Sequence, residues 1–432
     1  MSRRLIARDH HRRKDWIAVQ ASDILFSTCH LPYGRFALVD HPHQRTLVLI
    51  AALILSLGLG SIHAFSVLLD PLEMRFSVSR ADIAPAYSIG LASLTFAVLI
   101  GHRLFRLVSP AKLALLTYLI AAVGLAVASL GTHIFALWVG YGLVFGFANG
   151  VGYGFALYLT NLAFDRNRGL AMGSVTAVYA VGASGFAILI DNWIKLAGVD
   201  GALIALSTTL ALCGVVAGAA LWWSRYGVDL ADQPSDQTVQ ATVLDRPRLL
   251  LCWLIYGTGV AAGLMAMGHA AGIVTAADGT ASDGVRGVIA ITFANALGGF
   301  SAGYFADRRP AHILLATLGA ASALALLMLA IATHTMLVIA LLAVVGFTYG
   351  ATIALFPIVT TLIFGRDDYA RAYGKIFTSW GVAGLIAPWL AGDLYSRTDG
   401  YGIALLIAAF LAVSSGALSW LLAEPSAGPR TR

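Results

Sequence analysis

Apolar runs of about twenty residues, separated by short polar or charged stretches, recur from residue 46 to residue 422. At 1.5 Å per residue each run is long enough to cross a ~30 Å hydrocarbon core. A helix satisfies its own backbone there, so the pattern predicts an all-α integral membrane fold. Twelve spans are expected, at 46–69, 82–102, 111–130, 134–161, 169–190, 201–223, 249–275, 286–306, 311–332, 335–364, 371–392 and 401–422. The longest polar stretch between spans, Ser224 to Arg248, divides them six and six. The predicted organisation is a polar extension (1–44), a first six-helix half (45–223), a linker (224–248), a second half (249–422) and a short tail (423–432).

Composition agrees. The chain is 59% hydrophobic and 12% charged, with a mean hydropathy of +0.80, where soluble domains carry about 25% charge. The net charge of +6 is therefore a matter of topology before it is one of ligands. Of 28 Lys and Arg, 23 fall in the termini and even-numbered loops, and 5 (Arg75, Arg80, Lys195, Arg286, Arg397) in the others. An even number of spans puts both termini on one side, and the excess of basic residues assigns that side to the cytoplasm. The expected location is the cytoplasmic (inner) membrane.

Three dispersed cysteines, Cys29, Cys213 and Cys252, form neither a disulfide framework nor a metal motif. The polar start "MSRRLIARDHHRRKD" does not fit a cleavable signal. The sequence has no Gly-rich phosphate loop, no HExxH and no paired carboxylates, and the linker is too short for a nucleotide domain. An enzyme is not expected, nor a cofactor, nor a nucleic-acid partner.

The halves echo each other. "GFANG" at 146–150 and "GFTYG" at 346–350 stand 200 residues apart, "HAFSV" at 63 and "HAAGI" at 269 stand 206 apart, and "GHRLFR" at 101–106 and "GYFADR" at 303–308 stand 202 apart. Kept in order, these matches argue for a duplicated six-helix unit, a hallmark of transporters whose site lies between the repeats.

With "GYFADRR" (303–309) between spans eight and nine, the chain resembles the major facilitator superfamily. Within it, the chain resembles the oxalate/formate-antiporter and monocarboxylate-porter-like branch. "FSVLLDPLEMRFSVSRADIAPAYS" (65–88), "FDRNRGLAMGSVTAVYAVGASG" (164–185), "GLMAMGHAAGI" (263–273) and "YGKIFTSWGVAGLIAPWLAG" (373–392) carry that likeness, over about residues 46–422. It implies a monomeric secondary carrier, antiporter or symporter, that moves a small organic solute by alternating access. The solute would travel with a proton or against a counter-anion, and the other partner is membrane lipid. A membrane sensor with a transporter fold is the alternative.

In the resembled fold spans one, four, seven and ten line the cavity, which raises Asn149, Tyr153, Tyr256, Tyr349 and Thr352 as substrate contacts. Asn149 serves equally well as a hydrogen-bonding partner for a neighbouring helix. His63 and His269 hold matching places in the repeats. An ionisable group inside a span is a functional candidate, and imidazole titrates near neutral pH. The other reading places each at the outer membrane face. Glycines at 142, 146, 150 and 154 read as a packing stripe.

The resemblance also assigns Asp307 to an inner gate, closing against the start of span eleven with its Arg371, next to Arg308. The first copy has Phe105 at the acid's place. Carboxylate carriers of the branch often have an arginine at the place of Gly299 and a lysine at the place of Trp380. Here both charges are absent, and Lys375 is expected to snorkel to the surface. The resemblance therefore implies a largely neutral cavity, with Trp380 as an apolar wall, suited to a monocarboxylate or an uncharged solute and not to oxalate.

Overall fold

The computed structural model describes residues 42–224 and 244–422. The predicted extension up to residue 41, most of the linker and the tail lie outside the described residues. Among the described residues ten helices are long and apolar enough to cross a membrane: His43–Phe76, Asp82–Leu107, Pro110–Leu130, Ile134–Ala163, Arg168–Trp223, Arg246–Met267, Ser282–Ala306, Ala311–Leu329, Thr335–Thr398 and Gly402–Leu422. Two are too long for one crossing. Their 56 and 64 residues amount to about 84 and 96 Å against a ~30 Å core.

Each of the two folds back at a glycine, Gly198 (φ 70°, ψ 179°) and Gly365 (φ 77°, ψ 174°). That backbone region is open essentially to glycine alone. Divided there, the ten helices give twelve membrane-length segments, here called spans one to twelve. All belong to one compact unit. The end of the bundle where the described segments start and stop is called the terminal end below.

Spans five and eleven run past their predicted ends at 190 and 392. Asp191 and Asp393 look like loop residues, yet each forms an i,i+4 ion pair on continuing helix, Asp191 with Lys195 at 2.5 Å and Asp393 with Arg397 at 2.8 Å. Such pairs support a helix where the apolar run has ended. Their positions, 202 residues apart, repeat the duplication.

Spans one and seven are interrupted at corresponding places. Span one tightens into a 3-10 stretch at Gly60–Leu68, and span seven stops at Met267 and resumes at Ala270–Ala276. The two histidines sit in these irregularities. The glycine stripe of span four is a packing surface: a Cβ on Gly142 would lie 2.9 Å from the Ala86 carbonyl oxygen, and one on Gly146 would lie 2.6 Å from that of Gly90, both in span two. Gly346 and Gly350 of span ten press in the same way on Ile291 and Asn295 of span eight. The halves are built alike because small residues on the same face let the same helices touch.

Candidate functional site

Two seams join the halves. In the first, span five meets span eight so closely that a Cβ on Gly173 would stand 2.7 Å from the Cα of Gly303. At the terminal end of this seam Asp307 closes on span five. Its Oδ1 accepts the Gly169 N–H at 2.9 Å and its Oδ2 the Leu170 N–H at 3.1 Å. These are free first-turn donors at the positive end of a helix, where a carboxylate is stabilised by about 0.3–1 kcal/mol when exposed.

The partner expected for Asp307, the start of span eleven, is thus corrected to the start of span five. The approximate two-fold relation of the halves sets span eight against span five and span two against span eleven, so a loop of the second half reaches a helix of the first. Arg371 forms its ion pair with Asp368, one turn away at 3.0 Å. Arg308 turns back onto its own helix, donating to the Tyr304 carbonyl at 2.7 Å with its guanidinium 3.6 Å from the Tyr304 ring centre.

In the second seam, a Cβ on Gly374 of span eleven would lie 2.8 Å from the Val98 carbonyl oxygen of span two. Phe105, at the acid's place, is buried within its own half, 5.4 Å from Phe155 and 5.2 Å from Tyr158 between ring centres. Between the seams two further contacts cross. Thr361 donates to Asn161 Oδ1 at 3.0 Å, and Arg366 donates to the Phe164 carbonyl at 3.2 Å while pairing with Asp165. Sequence reading missed Arg366, which sits one residue past the Gly365 bend and reads as an ordinary basic flank.

Away from the terminal end the seams part. On span five the face that carries Gly173 and Ala177, both buried, continues to Ala180, half-buried, and Ser184, exposed. On span eleven the face of Gly374 and Gly381 continues to Leu385, 47% exposed. A Cβ on Gly185 or Gly384 would meet nothing within 4 Å. The two halves enclose a cleft sealed at the terminal end and open at the other.

At the floor of the cleft five aromatic side chains from four spans close a ring. His63 meets Tyr179 at 5.5 Å, Tyr179 meets Tyr153 at 5.0 Å, Tyr153 meets Phe377 at 5.8 Å, Phe377 stacks on Trp380 at 5.1 Å, and Trp380 returns to His63 at 6.4 Å. Trp380 Nε1 donates to the Tyr349 hydroxyl at 3.2 Å, and His63 Nδ1 lies 2.8 Å from the Tyr87 hydroxyl. No Asp, Glu, Lys or Arg belongs to this ring. His63, Tyr153, Tyr349 and Trp380 are therefore brought together. Tyr87, Tyr179 and Phe377 complete the set unforeseen: the resemblance points to spans one, four, seven and ten as the cavity lining, and these three stand on spans two, five and eleven.

The other candidates fall elsewhere. Asn149 is fully buried, and both ends of its amide are occupied: Nδ2 donates to the Leu59 carbonyl at 2.5 Å and Oδ1 accepts from Tyr179 at 2.8 Å. Leu59 is the last residue before the 3-10 stretch, so Asn149 secures the interrupted ladder of span one. Tyr256 lies fully buried beneath the floor, stacked on Phe356 at 4.3 Å. Thr352 faces a small crevice inside the second half, with Ser322, Thr348 and Ser415. His269 is separate from His63: its Nε2 lies 2.9 Å from the Pro388 carbonyl oxygen, and its ring is 5.4 Å from that of Tyr401. Gly299 packs against Ala177 at ordinary contact distance, and Lys375 is exposed on the side of span eleven away from the ring.

Two similar six-span halves with a cleft between them make up a multi-pass membrane fold. The family model described as Major Facilitator Superfamily matches residues 282–432. An uncharacterized MFS-type transporter YhjX from Escherichia coli (strain K12) is 24% identical over 359 residues, 80% of this chain and 87% of that one. An oxalate:formate antiporter from Oxalobacter formigenes is 25% identical over 287 residues, 62% of this chain and 65% of that one. The crystal structure of FucP, a Major Facilitator Superfamily transporter in the outward conformation, superimposes with a TM-score of 0.67 at 14% identity, covering 88% of this chain and 99% of that one. Over residues 282–432 the chain thus matches the Major Facilitator Superfamily, and over most of its length it is similar to proteins named as transporters of that family.

Proposed function

We propose that the protein is a secondary carrier for a small organic solute bearing at most one charge, a monocarboxylate-like anion or an uncharged metabolite. The observation that carries this reading is the ring of His63, Tyr179, Tyr153, Phe377 and Trp380, contributed by both halves and free of formal charge. Bringing a dianion into the membrane interior needs compensating cations, because an unpaired buried ion costs several kcal/mol even after relaxation. One relative's name pairs oxalate with formate; the cleft described here suits the smaller charge of the two. Tyr349 holds the Trp380 indole edge-on through its hydroxyl, which leaves the indole an apolar wall for the body of the solute.

With the termini in the cytoplasm of an inner-membrane protein, the sealed end is cytoplasmic and the arrangement is outward-open. Asp307 on the first turn of span five and Arg366 on the 164–165 loop hold that state. Release of these contacts lets the halves rock and exposes the ring to the cytoplasm. The test is counterflow of labelled solutes in proteoliposomes, together with quenching of Trp380 fluorescence. Binding of a monoanion or neutral solute with indifference to oxalate is the expected result. Tight oxalate binding that is lost in Lys375→Gln overturns the charge argument.

A further inference from the structure

We propose that the membrane-facing side of the second seam, at its terminal end, is a docking site for the head group of an anionic phospholipid, whose phosphate bridges the two halves where Asp307 bridges them at the first seam.

The seams differ in charge as well as in packing. Positions correspond through the paired contact glycines Gly173 and Gly374 and the paired motifs at 101–106 and 303–308. Where the first seam has Leu170, Ser174 and Phe305, the second has Arg371, Lys375 and Arg103. The first seam thus has the acid without these cations, and the second has the cations with Phe105 in the acid's place. Two acids stand nearby: Asp368 pairs with Arg371 at 3.0 Å, and Asp367 lies near Tyr158. Arg103, Arg106 and Lys375 are exposed and form no hydrogen bond or ion pair among the described residues. The positive-inside bias accounts for cations at this end, but not for their gathering at one seam.

Helix geometry puts these cations on the lipid side. The spans touch along Thr95, Leu99 and His102 of span two and Gly374 and Gly381 of span eleven. A Cβ on Gly374 would lie 3.0 Å from the Leu99 carbonyl oxygen, which His102 Nδ1 approaches at 3.1 Å, and one on Gly381 would lie 2.6 Å from Thr95 Oγ1. Arg103 follows His102 and Lys375 follows Gly374, so each stands about 100° round its helix from that line. Phe105 marks the inward side of span two, and Tyr373 and Phe377 mark that of span eleven. The two spans run antiparallel, so Arg103 and Lys375 turn to the same side, opposite those rings. Arg103, Arg106 and Arg371 all lie close enough to His102 to act on its ring. Further into the membrane on the same two faces stand Phe96 and Val382, both exposed. Cations at the end of two apolar faces fit a phosphodiester with acyl chains, because basic sites between spans hold lipid head groups and guanidinium matches phosphate. Arg103 belongs to the first half and Lys375 to the second. A head group that holds both therefore favours the state in which this seam is closed.

The test is native mass spectrometry of the full-length protein in detergent, titrated with palmitoyl-oleoyl phosphatidylglycerol or phosphatidylcholine. Wild type should retain phosphatidylglycerol in preference. Arg103→Gln combined with Lys375→Gln, checked for folding by size-exclusion elution, should weaken that binding about tenfold or more, since each basic residue near an anionic lipid surface is worth about fivefold. Arg103→Lys combined with Lys375→Arg should bind as wild type does. So should Arg309→Gln, which removes an exposed cation beside the first seam. In phosphatidylcholine vesicles, labelling of Thr361→Cys should fall when phosphatidylglycerol is included, and should not fall in the double Gln variant. Equal retention of the two lipids by wild type, or undiminished retention in the double Gln variant, overturns the inference. Displacement of the lipid by glycerol 3-phosphate at matching concentration assigns the site to a soluble phosphate and overturns it as well. Labelling at 361 that ignores phosphatidylglycerol overturns the bridge between the halves.

Discussion

The two seams between the halves occupy equivalent places, yet they are held by different chemistry. Where span eight meets span five, Asp307 accepts two backbone N–H groups at 2.9 and 3.1 Å above a glycine-to-glycine contact. Where span two meets span eleven, the equivalent residue is Phe105, which turns inward to Phe155 and Tyr158 and leaves Gly374 to pack on span two. The polar crossings nearest the terminal end converge on one short segment. Asn161, Phe164, Asp165, Gly169 and Leu170 receive Thr361, Arg366 and Asp307 from the other half. Duplication supplies two similar surfaces, and the latch has been kept on one.

That comparison is open to breaking. Phe105→Ala should cost the most stability, about 3–5 kcal/mol, because a buried ring shared with Phe155 and Tyr158 leaves a cavity. A thermal melt in detergent checks this, and the balance between outward and inward states should barely move. Gly173→Val should act on that balance instead. Its Cβ would stand 2.7 Å from the Gly303 Cα, forcing the first seam apart at an overpacking cost of ~1–3 kcal/mol. Labelling of the terminal end of the cleft should rise and transport should fall.

Asp307→Asn keeps the size and one acceptor but removes the charge from the helix N-terminus. With an exposed carboxylate the loss is about 0.3–1 kcal/mol, up to roughly a fivefold shift toward the inward state. Arg366→Gln should do least, because its pair with Asp165 is partly solvated and such pairs contribute ~0.2–1 kcal/mol. If Arg366→Gln shifts labelling more than Asp307→Asn, the latch belongs to the loop and not to the helix terminus.

Sequence pattern carried the fold a long way. The apolar runs overlie the observed helices, although the run at 249–275 crosses the break after Met267 and that at 311–332 outlasts its helix at Leu329, and the repeated motifs foretold two similar halves. It misplaced the ends of spans five and eleven, since Asp191 and Asp393 read as loop residues until their partners four residues on are seen in a continuing helix. The site was half legible. His63, Tyr153, Tyr349 and Trp380 stand in the aromatic ring or bonded to it. Asn149 turned to the backbone of span one and Thr352 to a crevice inside the second half, because knowing that a span lines the cavity does not say which of its faces does. Pairing across the halves was least legible: Asp307 carries no mark of whether span five or span eleven will meet it.

Closure by Asp307 at the terminal end, with the cleft open at the other, has a direct readout in the accessibility of its two ends. The most direct test is paired cysteine labelling in a background from which Cys29, Cys213 and Cys252 have been removed. Ser184→Cys sits on the exposed continuation of the first seam, and Thr361→Cys sits on the sealed side, 4% exposed in the described structure. A membrane-impermeant maleimide applied from outside should modify position 184 readily, while position 361 stays protected from reagent on the inside until Asp307→Asn is introduced. Ready labelling at 361 with Asp307 intact, or protection unchanged by Asp307→Asn, would contradict it.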